Sequence, residues 1–446
     1  MKKILFTLLF AAILLLCGCE LRTADQMYAV PARPAADYNL QDAINKAMSG
    51  LDYAAPKSGT NQQIVQTVDI DGNGDMEYLL FAKGDSDNPL QIFIFDKQKD
   101  AYTLVDTISC NGSAFDRVEY VQMDSKPGKE IVIGYQLNDQ LSGGLCVYGF
   151  QTGNMEQLLS TTYTQFLTTD LNADATSELF LVRPGPNEWS KGVAELYLID
   201  NGNVEKTIEQ NLAVPSASIR RVLPGKLQDG SRCIYVSGKI GETALSTDVF
   251  AVVDNTFTNI SLSADSTTTA QMIGNYFVES VDIDGDGVLE LPMLMDMVQV
   301  AEDGTAAQKI ISWYALDSNG NSHQKRYTYH CFADGWFVDL ESQWTQILTA
   351  SRQGKRVDFF SWDKQYGVPI RLFSINVLTG QNREEQANLD GYIRLHSTTS
   401  AVFVGELTSN GEKYGITEQK LIDSFHMIQQ DSKKKEVTGI EESFGA

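Results

Sequence analysis

Residues 276–294 read Tyr276-Phe-Val-Glu-Ser-Val-Asp-Ile-Asp-Gly-Asp-Gly-Val-Leu-Glu-Leu-Pro-Met-Leu294. A segment that alternates between apolar and polar residues leads into a turn rich in aspartate and glycine, and a strongly apolar segment follows the turn. Alternation with a period of two is typical of a β-strand with one buried face. This stretch therefore predicts two antiparallel strands joined by an acidic turn.

The same unit recurs along the middle of the chain. Four earlier copies begin at residues 65, 118, 165 and 219, and their apolar second segments begin at residues 77, 130, 178 and 233. Further strand pairs lie between the copies, as at 195–208 around Asp200-Asn201-Gly202, and such turns are strong hairpin signals. Each unit of about 50 residues thus predicts four antiparallel strands, the content of one β-propeller blade. We predict a mainly β fold, a β-propeller with five recognisable repeats, and leave open a ring of six or seven blades.

Three of the acidic turns carry oxygen-bearing side chains at alternate positions. The side chains at positions 1, 3, 5 and 9 are Asp69, Asp71, Asn73 and Glu77; Asp170, Asn172, Asp174 and Glu178; and Asp282, Asp284, Asp286 and Glu290. Calcium binds six to eight hard oxygens, and the backbone carbonyl at position 7, from Asp75, Thr176 or Val288, adds one more. Glycines such as Gly285 and Gly287 let the backbone curl around an ion. The pattern predicts calcium turns; the alternative is that the carboxylates only accept hydrogen bonds within a β-turn.

The spacing excludes an EF-hand, because an EF-hand closes at position 12 between helices and these turns close at position 9 between strands. The turns resemble the Asp-x-Asp-x-Asp-Gly-x-x-Glu/Asp loops of FG-GAP or VCBS-type repeat proteins, as in integrin α-subunit propellers. The match is strongest at 69–77 and 282–290 and weaker at 170–178, where Ala173 and Ala175 replace glycines. The resemblance covers roughly residues 38–329 and implies calcium with a structural role. The second and fourth turns keep too few ligands to hold a metal.

The N-terminus has the order of an export signal. Lys2 and Lys3 precede an apolar run at 4–16, which is too short for a comfortable membrane span. The run ends in Leu16-Cys17-Gly18-Cys19, which resembles a bacterial lipobox and implies that Cys19 is acylated. An ordinary cleaved signal peptide is the alternative. We predict a signal peptide at 1–18, a lipidated Cys19 with a tether at 19–37, and an exported protein anchored on the outer face of the cell membrane.

The chain carries a formal net charge of −23 at pH 7. This charge argues against nucleic acid as a partner, because the phosphates repel an acidic surface. Outside the lipobox four cysteines remain, Cys110, Cys146, Cys233 and Cys331, and without C-x-x-C spacing they do not indicate a thiolate zinc site. Isolated cysteines in apolar segments are more often buried thiols than bridges. Their pairing does not follow from the sequence.

Two different segments border the repeats. Residues 40–48 predict a short amphipathic helix after an Asn39 cap. From Ala333 no acidic turn recurs, and strand-like runs precede a helix that opens at Thr417. This order resembles a small α+β module that accompanies such repeats in exported lipoproteins of Gram-positive bacteria. The predicted boundaries are the helix and propeller at 38–332, an α+β domain at 333–430, and a polar tail at 431–446.

No catalytic signature stands out in the sequence. It contains no G-x-S-x-G elbow, Walker A loop, Rossmann fingerprint or H-E-x-x-H helix, and the alternating strand and helix units of a solute-binding protein are missing. Trp336, Trp344 and Trp362 suit a strand core better than a sugar-stacking surface. The leading hypothesis is a non-enzymatic surface protein that binds an unknown protein or glycan. The alternative is an envelope hydrolase acting on polysaccharide or peptidoglycan, because an acidic chain offers many candidate carboxylate pairs.

Overall fold

The computed structural model describes residues 35–428, with gaps at 86–88, 100, 138–141, 152, 186, 188–189, 201, 241–243, 263–270, 274–277, 299–307 and 363–367. The predicted signal peptide, Cys19, most of the tether and the polar tail lie outside the described residues and stay predictions. Within the described part, no helix is long and apolar enough to cross a membrane.

The described strands form six antiparallel sheets that follow one another along the chain. Sheet 1 contains β1 (Asp52–Tyr53), β2 (Val65–Val68), β3 (Glu77–Lys83), β4 (Leu90–Gln98) and β5 (Ala101–Cys110). Sheet 2 contains β6 (Ala114–Val121), β7 (Glu130–Gln136), β8 (Gly143–Gln151) and β9 (Asn154–Tyr163). Sheet 3 contains β10 (Gln165–Thr169), β11 (Glu178–Arg183), β12 (Lys191–Asp200) and β13 (Asn203–Pro215).

The remaining sheets have five strands each. Sheet 4 contains β14 (Ile219–Lys226), β15 (Arg232–Ile240), β16 (Ala244–Val253), β17 (Thr256–Asn259) and β18 (Gln271–Ile273). Sheet 5 contains β19 (Leu291–Asp296), β20 (Lys309–Leu316), β21 (Ser322–Cys331) and β22 (Trp336–Leu340). Sheet 6 contains β23 (Leu348–Gln353), β24 (Arg356–Ser361), β25 (Ile370–Thr379), β26 (Tyr392–Ser397) and β27 (Ala401–Leu407), and β28 (Phe425–Met427) completes sheet 5.

The predicted succession of strand, acidic turn and strand is confirmed in the first four sheets, where it forms the pairs β2–β3, β6–β7, β10–β11 and β14–β15. In the fifth copy Val281 and Glu290 form a single antiparallel bridge before β19. The predicted hairpins are present as β4–β5, β8–β9, β12–β13, β16–β17 and β20–β21. The chain is therefore mainly β and built from repeated four-stranded units.

A β-bulge recurs at one place in the repeat. In the third strand of the repeat, the register shifts next to an aromatic residue. This aromatic residue pairs with the residue that directly follows the closing glutamate of the turn. These aromatic residues are Phe95, Tyr148, Tyr197 and Tyr314. Bulges bend a strand and increase its twist, so the four sheets share a local distortion as well as a turn.

The core lies between successive sheets, which pack face to face. Alternation along each strand places neighbouring side chains on opposite faces. In β7, Ile131 and Ile133 pack with sheet 1, whereas Val132 belongs to the cluster shared with sheet 3. Further clusters join sheets 3 and 4, 4 and 5, and 5 and 6. Each inner sheet is therefore buried on both faces.

The described stack has two ends. Helix α1 (Ala35–Ala47) covers the outer face of sheet 1, where Ile44 packs with Phe93 and Phe95. On the outer face of sheet 6, Ala387 after helix α2 (Arg383–Gln386) packs with Leu378, Val402 and Val404. The same face carries ion pairs of Arg356 with Asp358 and Glu406. Among the described residues no apolar cluster joins sheets 1 and 6. A closed ring of blades is therefore not observed.

The helix α1 begins earlier than the sequence predicted. Asn39, the predicted N-cap, lies within the helix because the helix starts at Ala35. Helices α3 (Ser409–Lys413) and α4 (Glu418–Ser424) follow sheet 6. The predicted cap at Thr417 is present, since its side-chain oxygen accepts the N–H of Lys420 at 3.2 Å. Short 3-10 helices at Ser216–Ser218 and Ser342–Trp344 complete the described elements.

Residues after 332 continue the stack of sheets. The predicted boundary at residue 333 falls between β21 and β22, which are paired at Cys331 and Trp336. One apolar cluster contains residues of both sheets 5 and 6, including Trp336 and Trp344. These two tryptophans are buried, as a core position requires, and Trp362 is half-buried. The division into two domains stays a prediction.

Candidate calcium turns

The acidic turns of successive sheets lie side by side and form one row. We define the turn row as residues 69–77, 122–130, 170–178, 227–232 and 282–290, which we number turns 1 to 5. The N–H of Lys129 donates to the carbonyl of Ile70 at 3.1 Å, and the N–H of Ser177 donates to the carbonyl of Gln122 at 2.7 Å. Each turn joins the first and second strands of its repeat, so face-to-face packing of the sheets brings the turns together.

Four of these turns are closed by the same hydrogen bond. The Oε2 atom of the closing glutamate accepts the N–H of the residue seven positions earlier. The pairs are Ile70 and Glu77 at 2.7 Å, Met123 and Glu130 at 2.8 Å, Leu171 and Glu178 at 2.7 Å, and Ile283 and Glu290 at 2.9 Å. Turn 4 has Cys233 at this place, and its ends meet through the N–H of Leu227 and the carbonyl of Ser231 at 2.8 Å.

The first aspartate of each predicted calcium turn holds the backbone. Asp69 accepts the N–H groups of Gly72 at 2.8 Å and Gly74 at 3.0 Å, and Asp282 accepts those of Gly285 and Gly287 at 2.7 and 3.0 Å. The hydrogen-bonded β-turn that the sequence left as an alternative is therefore present. It leaves carboxylate lone pairs free for a metal, because each carboxylate has about four acceptor sites.

Turn 3 adopts the same backbone without glycines. Ala173 and Ala175 have φ angles of 66° and 75°, close to the 75° and 92° of Gly72 and Gly74. Residues with a β-carbon rarely adopt this left-handed conformation. The Oδ2 atom of Asp170 accepts the N–H of Ala175 at 3.0 Å. This hydrogen bond helps to hold the turn although the two alanines have a strained backbone.

The predicted ligands converge in turns 1 and 5. Carboxylate oxygens of Asp69, Asp71 and Glu77 lie within 4.8 Å of one another, and so do those of Asp282, Asp284 and Glu290. The side chains at position 5 accept the N–H of position 7 in all three turns, from Asp75 at 2.7 Å, Thr176 at 2.8 Å and Val288 at 2.9 Å. In turn 3 the amide of Asn172 donates to Asp174 at 3.0 Å, as that of Asn73 does to Asp71 at 2.9 Å in turn 1. Coordination by the position 7 carbonyls stays a prediction.

Each predicted calcium turn contains a buried carboxylate oxygen without a hydrogen-bond partner among the described residues. These atoms are Oε1 of Glu77, Oδ1 of Asp170 and Oε1 of Glu290. Glu77 is 2% exposed and Glu290 is fully buried. Glu130 of turn 2, which was predicted to hold no metal, has no such atom. An unpaired buried carboxylate is costly, and a hard cation would satisfy it, so the residues present fit calcium.

Burial and, to a smaller extent, the negative charges of Asp71, Asp96 and Asp69 raise the pKa of Glu77 to about 7. Burial and, to a smaller extent, the charges of Asp284, Asp286 and Asp282 likewise raise the pKa of Glu290 to about 7. In both turns the backbone N–H bond to the glutamate opposes these effects. A cation in the turn would reverse the repulsion that raises each pKa.

Two of the three turns contain a side-chain cation that sequence reasoning missed. In turn 5 the Lys325 ammonium lies 2.7 Å from Asp286 and 3.9 Å from Asp284. In turn 3 Arg232 forms an ion pair with Asp170 and donates to its carbonyl at 2.7 Å. Among the described residues no lysine or arginine pairs with a carboxylate of turn 1. No pattern in the sequence indicates these pairs, because both cations come from other strands.

A cleft of about 120 Å³ opens beside turn 1. Asp71 and Glu77 line it together with Asp96 of β4 and Asp106 of β5. Asp106 accepts the N–H of Met155 at 2.9 Å, which ties the cleft to sheet 2. Asp96 and Asp106 were missed because nothing in their strands marks them as neighbours of the turn.

Comparisons with known proteins leave the family open. No family model matches the chain, and no curated protein matches it. Among solved structures, Sqt1 from Saccharomyces cerevisiae has 9% identity and a TM-score of 0.29, covering 80% of this chain and 100% of that chain. The Dos1 propeller has 8% identity and a TM-score of 0.29, with coverage of 63% and 64%. A rhamnogalacturonan lyase from Bacillus licheniformis has 13% identity and a TM-score of 0.26, with coverage of 72% and 71%. At these TM-scores the likeness carries no argument, so fold and site rest on the chain's own residues.

Proposed function

We propose that this chain is a lipid-anchored protein on the outer face of the cell membrane, where calcium-stabilised sheets present a surface that binds a protein or a glycan. The observation that carries the calcium part is the set of buried, unpaired carboxylate oxygens in turns 1, 3 and 5. These atoms lie in turns that connect strands and stabilise the sheets. The calcium is therefore structural, and the binding surface lies elsewhere on the stack.

Turn 1 is proposed as the tightest calcium site. Asp69, Asp71, Asn73 and Glu77 supply side-chain oxygens, and Asp75 supplies its carbonyl. Calcium suits this set better than magnesium, because calcium accepts many oxygens in a flexible geometry whereas magnesium keeps several waters. In turns 3 and 5 the resident cations Arg232 and Lys325 compete with the ion. We expect weaker binding there.

We propose that the sheets are arranged as the blades of a propeller. Sheets 1 to 5 each contain four consecutive antiparallel strands in the order of a blade, whereas in sheet 6 β27 lies between β25 and β26. The acidic turns occupy one edge in the manner of FG-GAP or VCBS repeats. Helix α1 covers the outer face of sheet 1, and the outer face of sheet 6 carries the ion pair of Arg356 and Glu406. We therefore propose an arc of six blades whose ends do not pack directly on each other.

Thermal unfolding with calcium titrated against a chelator tests the metal. Binding to the native state stabilises it by RT ln(1 + [L]/Kd), about 2.7 kcal/mol at a hundredfold excess over Kd. We expect a concentration-dependent rise in Tm that shrinks in Glu77→Gln. The matched control is Glu130→Gln, which alters the same hydrogen bond in turn 2 and should leave the calcium response unchanged. Identical curves with calcium and chelator would show that the turns are only hydrogen-bonded.

Cosedimentation of the purified chain with isolated cell-wall polysaccharide and peptidoglycan tests the binding role. Retention of the protein without release of soluble sugar supports a glycan-binding module. Retention accompanied by new reducing ends supports an enzyme. Absence of retention removes glycan from the proposal and leaves a protein ligand, to be sought by crosslinking on intact cells.

The hydrolase remains the second candidate because of the cleft beside turn 1. Glu77 has a pKa of about 7 and shares the cleft with Asp96 and Asp106, and a raised pKa is typical of a general acid. The volume of about 120 Å³ is, however, well below the roughly 300 to 1,000 Å³ of ordinary ligand sites. If Asp96→Asn and Asp106→Asn abolish release of reducing ends, the enzyme replaces the binding module.

A further inference from the structure

Two of the four described cysteines meet across the interface between sheets 1 and 2. Cys110 is the last residue of β5, and Cys146 lies within β8. Each is 3% exposed, and both belong to the apolar cluster between these sheets. The two thiols lie close enough to affect each other's pKa: Cys146 raises the pKa of Cys110, and Cys110 lowers that of Cys146. The two strands lie in different sheets, so this proximity is a tertiary one.

The surroundings of the pair hold it in place. The hydroxyl groups of Tyr135 and Ser160 each lie 3.8 Å from the Cys146 sulfur. The other two described cysteines have different neighbours: Cys233 lies in sheet 4, and the Cys331 thiol donates to Asp334 at 3.4 Å. Of the described cysteines, only Cys110 and Cys146 affect each other's pKa.

We propose that Cys110 and Cys146 form a disulfide bond in the exported protein. This inference rests on the export that is part of the proposed function, since disulfides persist outside the cytoplasm. The two thiols lose two protons and two electrons as the sulfur–sulfur bond forms. A disulfide of an extracellular thiol oxidoreductase accepts both and becomes a dithiol. Because the folded protein buries both thiols, this exchange takes place before sheets 1 and 2 have closed on each other.

The bridge would connect sheet 1, at one end of the stack, to sheet 2. Sheet 1 ends the stack, so it packs on another sheet through one face only and on α1 through the other. A disulfide closes a loop of about 35 residues and lowers the entropy of the unfolded chain. The bridge therefore ties an end sheet to its neighbour.

Mass spectrometry of the full chain, produced with its own export signal, tests the bridge directly. Thiols are alkylated in acid before digestion without reductant. We expect one crosslinked peptide pair that contains Cys110 and Cys146, with Cys233 and Cys331 alkylated. Four alkylated cysteines, or a crosslink between another pair, would overturn the proposal. Acylation of Cys19 is measured in the same sample: an acylated chain with free thiols refutes only the disulfide, whereas a chain that is neither exported nor acylated refutes the proposed function.

A pair of serine variants adds a stability readout. Cys146→Ser should lower Tm by on the order of 5 °C in the absence of reductant and should differ much less from the parent chain once both are reduced. Cys233→Ser, which removes a buried thiol outside the pair, should show the same difference from the parent with and without reductant. A parent chain whose Tm does not respond to reductant would contradict the bridge.

Discussion

Four glutamates occupy the same place in the repeat, but their environments differ. Each accepts an N–H from seven residues earlier, yet only the turns with aspartates at positions 1 and 3 or 5 contain an unpaired buried carboxylate oxygen. Glu130 therefore acts as a structural acceptor, whereas Glu77 and Glu290 retain capacity for a cation. The difference follows from neighbouring charge, because repulsion between carboxylates is what a calcium ion relieves.

Another buried carboxylate joins two sheets without any role in a metal turn. Asp248 of β16 is fully buried. It accepts the side-chain amide of Asn259 and the N–H of Ala213 in sheet 3, both at 2.9 Å. Burial raises its pKa from 3.8 to about 6 despite these hydrogen bonds. The native state therefore holds a proton at a pH where the unfolded chain has released it.

This carboxyl group predicts a pH-dependent stability. Between pH 4 and 6 the native state binds more protons at Asp248 than the unfolded state does, so its contribution to the free energy of unfolding falls as pH rises. As pH rises over this range, the free energy of unfolding of the parent chain should fall by about 2 kcal/mol relative to that of Asp248→Asn. Urea unfolding at several pH values, with chelator present, measures it. A difference that is constant with pH would contradict the shifted pKa.

At the scale of the element, two of the predicted calcium turns form ion pairs with a side chain from another strand. Lys325 extends from β21 to Asp286 of turn 5, and Arg232 extends from β15 to Asp170 of turn 3. These pairs hold the turns together without metal. They would also weaken the proposed binding of calcium, because the ion would have to displace a cation that is already paired.

Removal of the resident cation should therefore strengthen calcium binding at turn 5. We expect Lys325→Met to raise the calcium affinity of this turn about threefold, the equivalent of a partly exposed ion pair. Calcium titration in the Glu77→Gln background isolates the effect from turn 1. Lys309→Met is the control, since Lys309 pairs with Asp296 outside the turn row. Equal affinities in the two variants would show that Lys325 does not compete with the ion.

Turn 3 offers a second prediction at this scale. Ala173 and Ala175 carry positive φ angles, which glycine adopts without strain. We expect Ala173→Gly to raise the free energy of unfolding by about 0.5 to 1 kcal/mol. Ala101→Gly in β5, where φ is not positive, should lower it instead. Chemical denaturation measures both, and a loss of stability in Ala173→Gly would contradict the strained turn.

At the scale of the whole molecule, the described sheets form a stack with ends. Inner sheets are buried on both faces by neighbouring sheets, whereas sheet 1 depends on α1 for its outer face. On the outer face of sheet 6, Arg356 donates two hydrogen bonds to Glu406 at 2.6 and 2.8 Å. A charged, partly exposed face does not pack against another apolar sheet without a large desolvation cost.

An end sheet should open more easily than an inner one. Ile44 of α1 is 8% exposed and packs on sheet 1, so Ile44→Ala should cost about 2 kcal/mol. We expect amide hydrogen exchange to accelerate in β3 and β4 and to stay unchanged in β15 and β16. Ile422→Ala, at a position 36% exposed, is the matched control. Uniform acceleration throughout the stack would indicate that the sheets unfold as a single unit.

The sequence alone determined the features that depend on neighbours along the chain. Strand alternation, the hairpins, the closing glutamates and the left-handed positions of Gly72 and Gly74 involve residues within about ten positions of one another, and short-range patterns of this kind are visible in a sequence. Only the tertiary structure decided which strands and sheets meet. The pairing of Lys325 with turn 5, the proximity of Cys110 and Cys146, and the ends of the stack are long-range features. Each depends on the relative placement of separate strands or sheets, which no local period specifies.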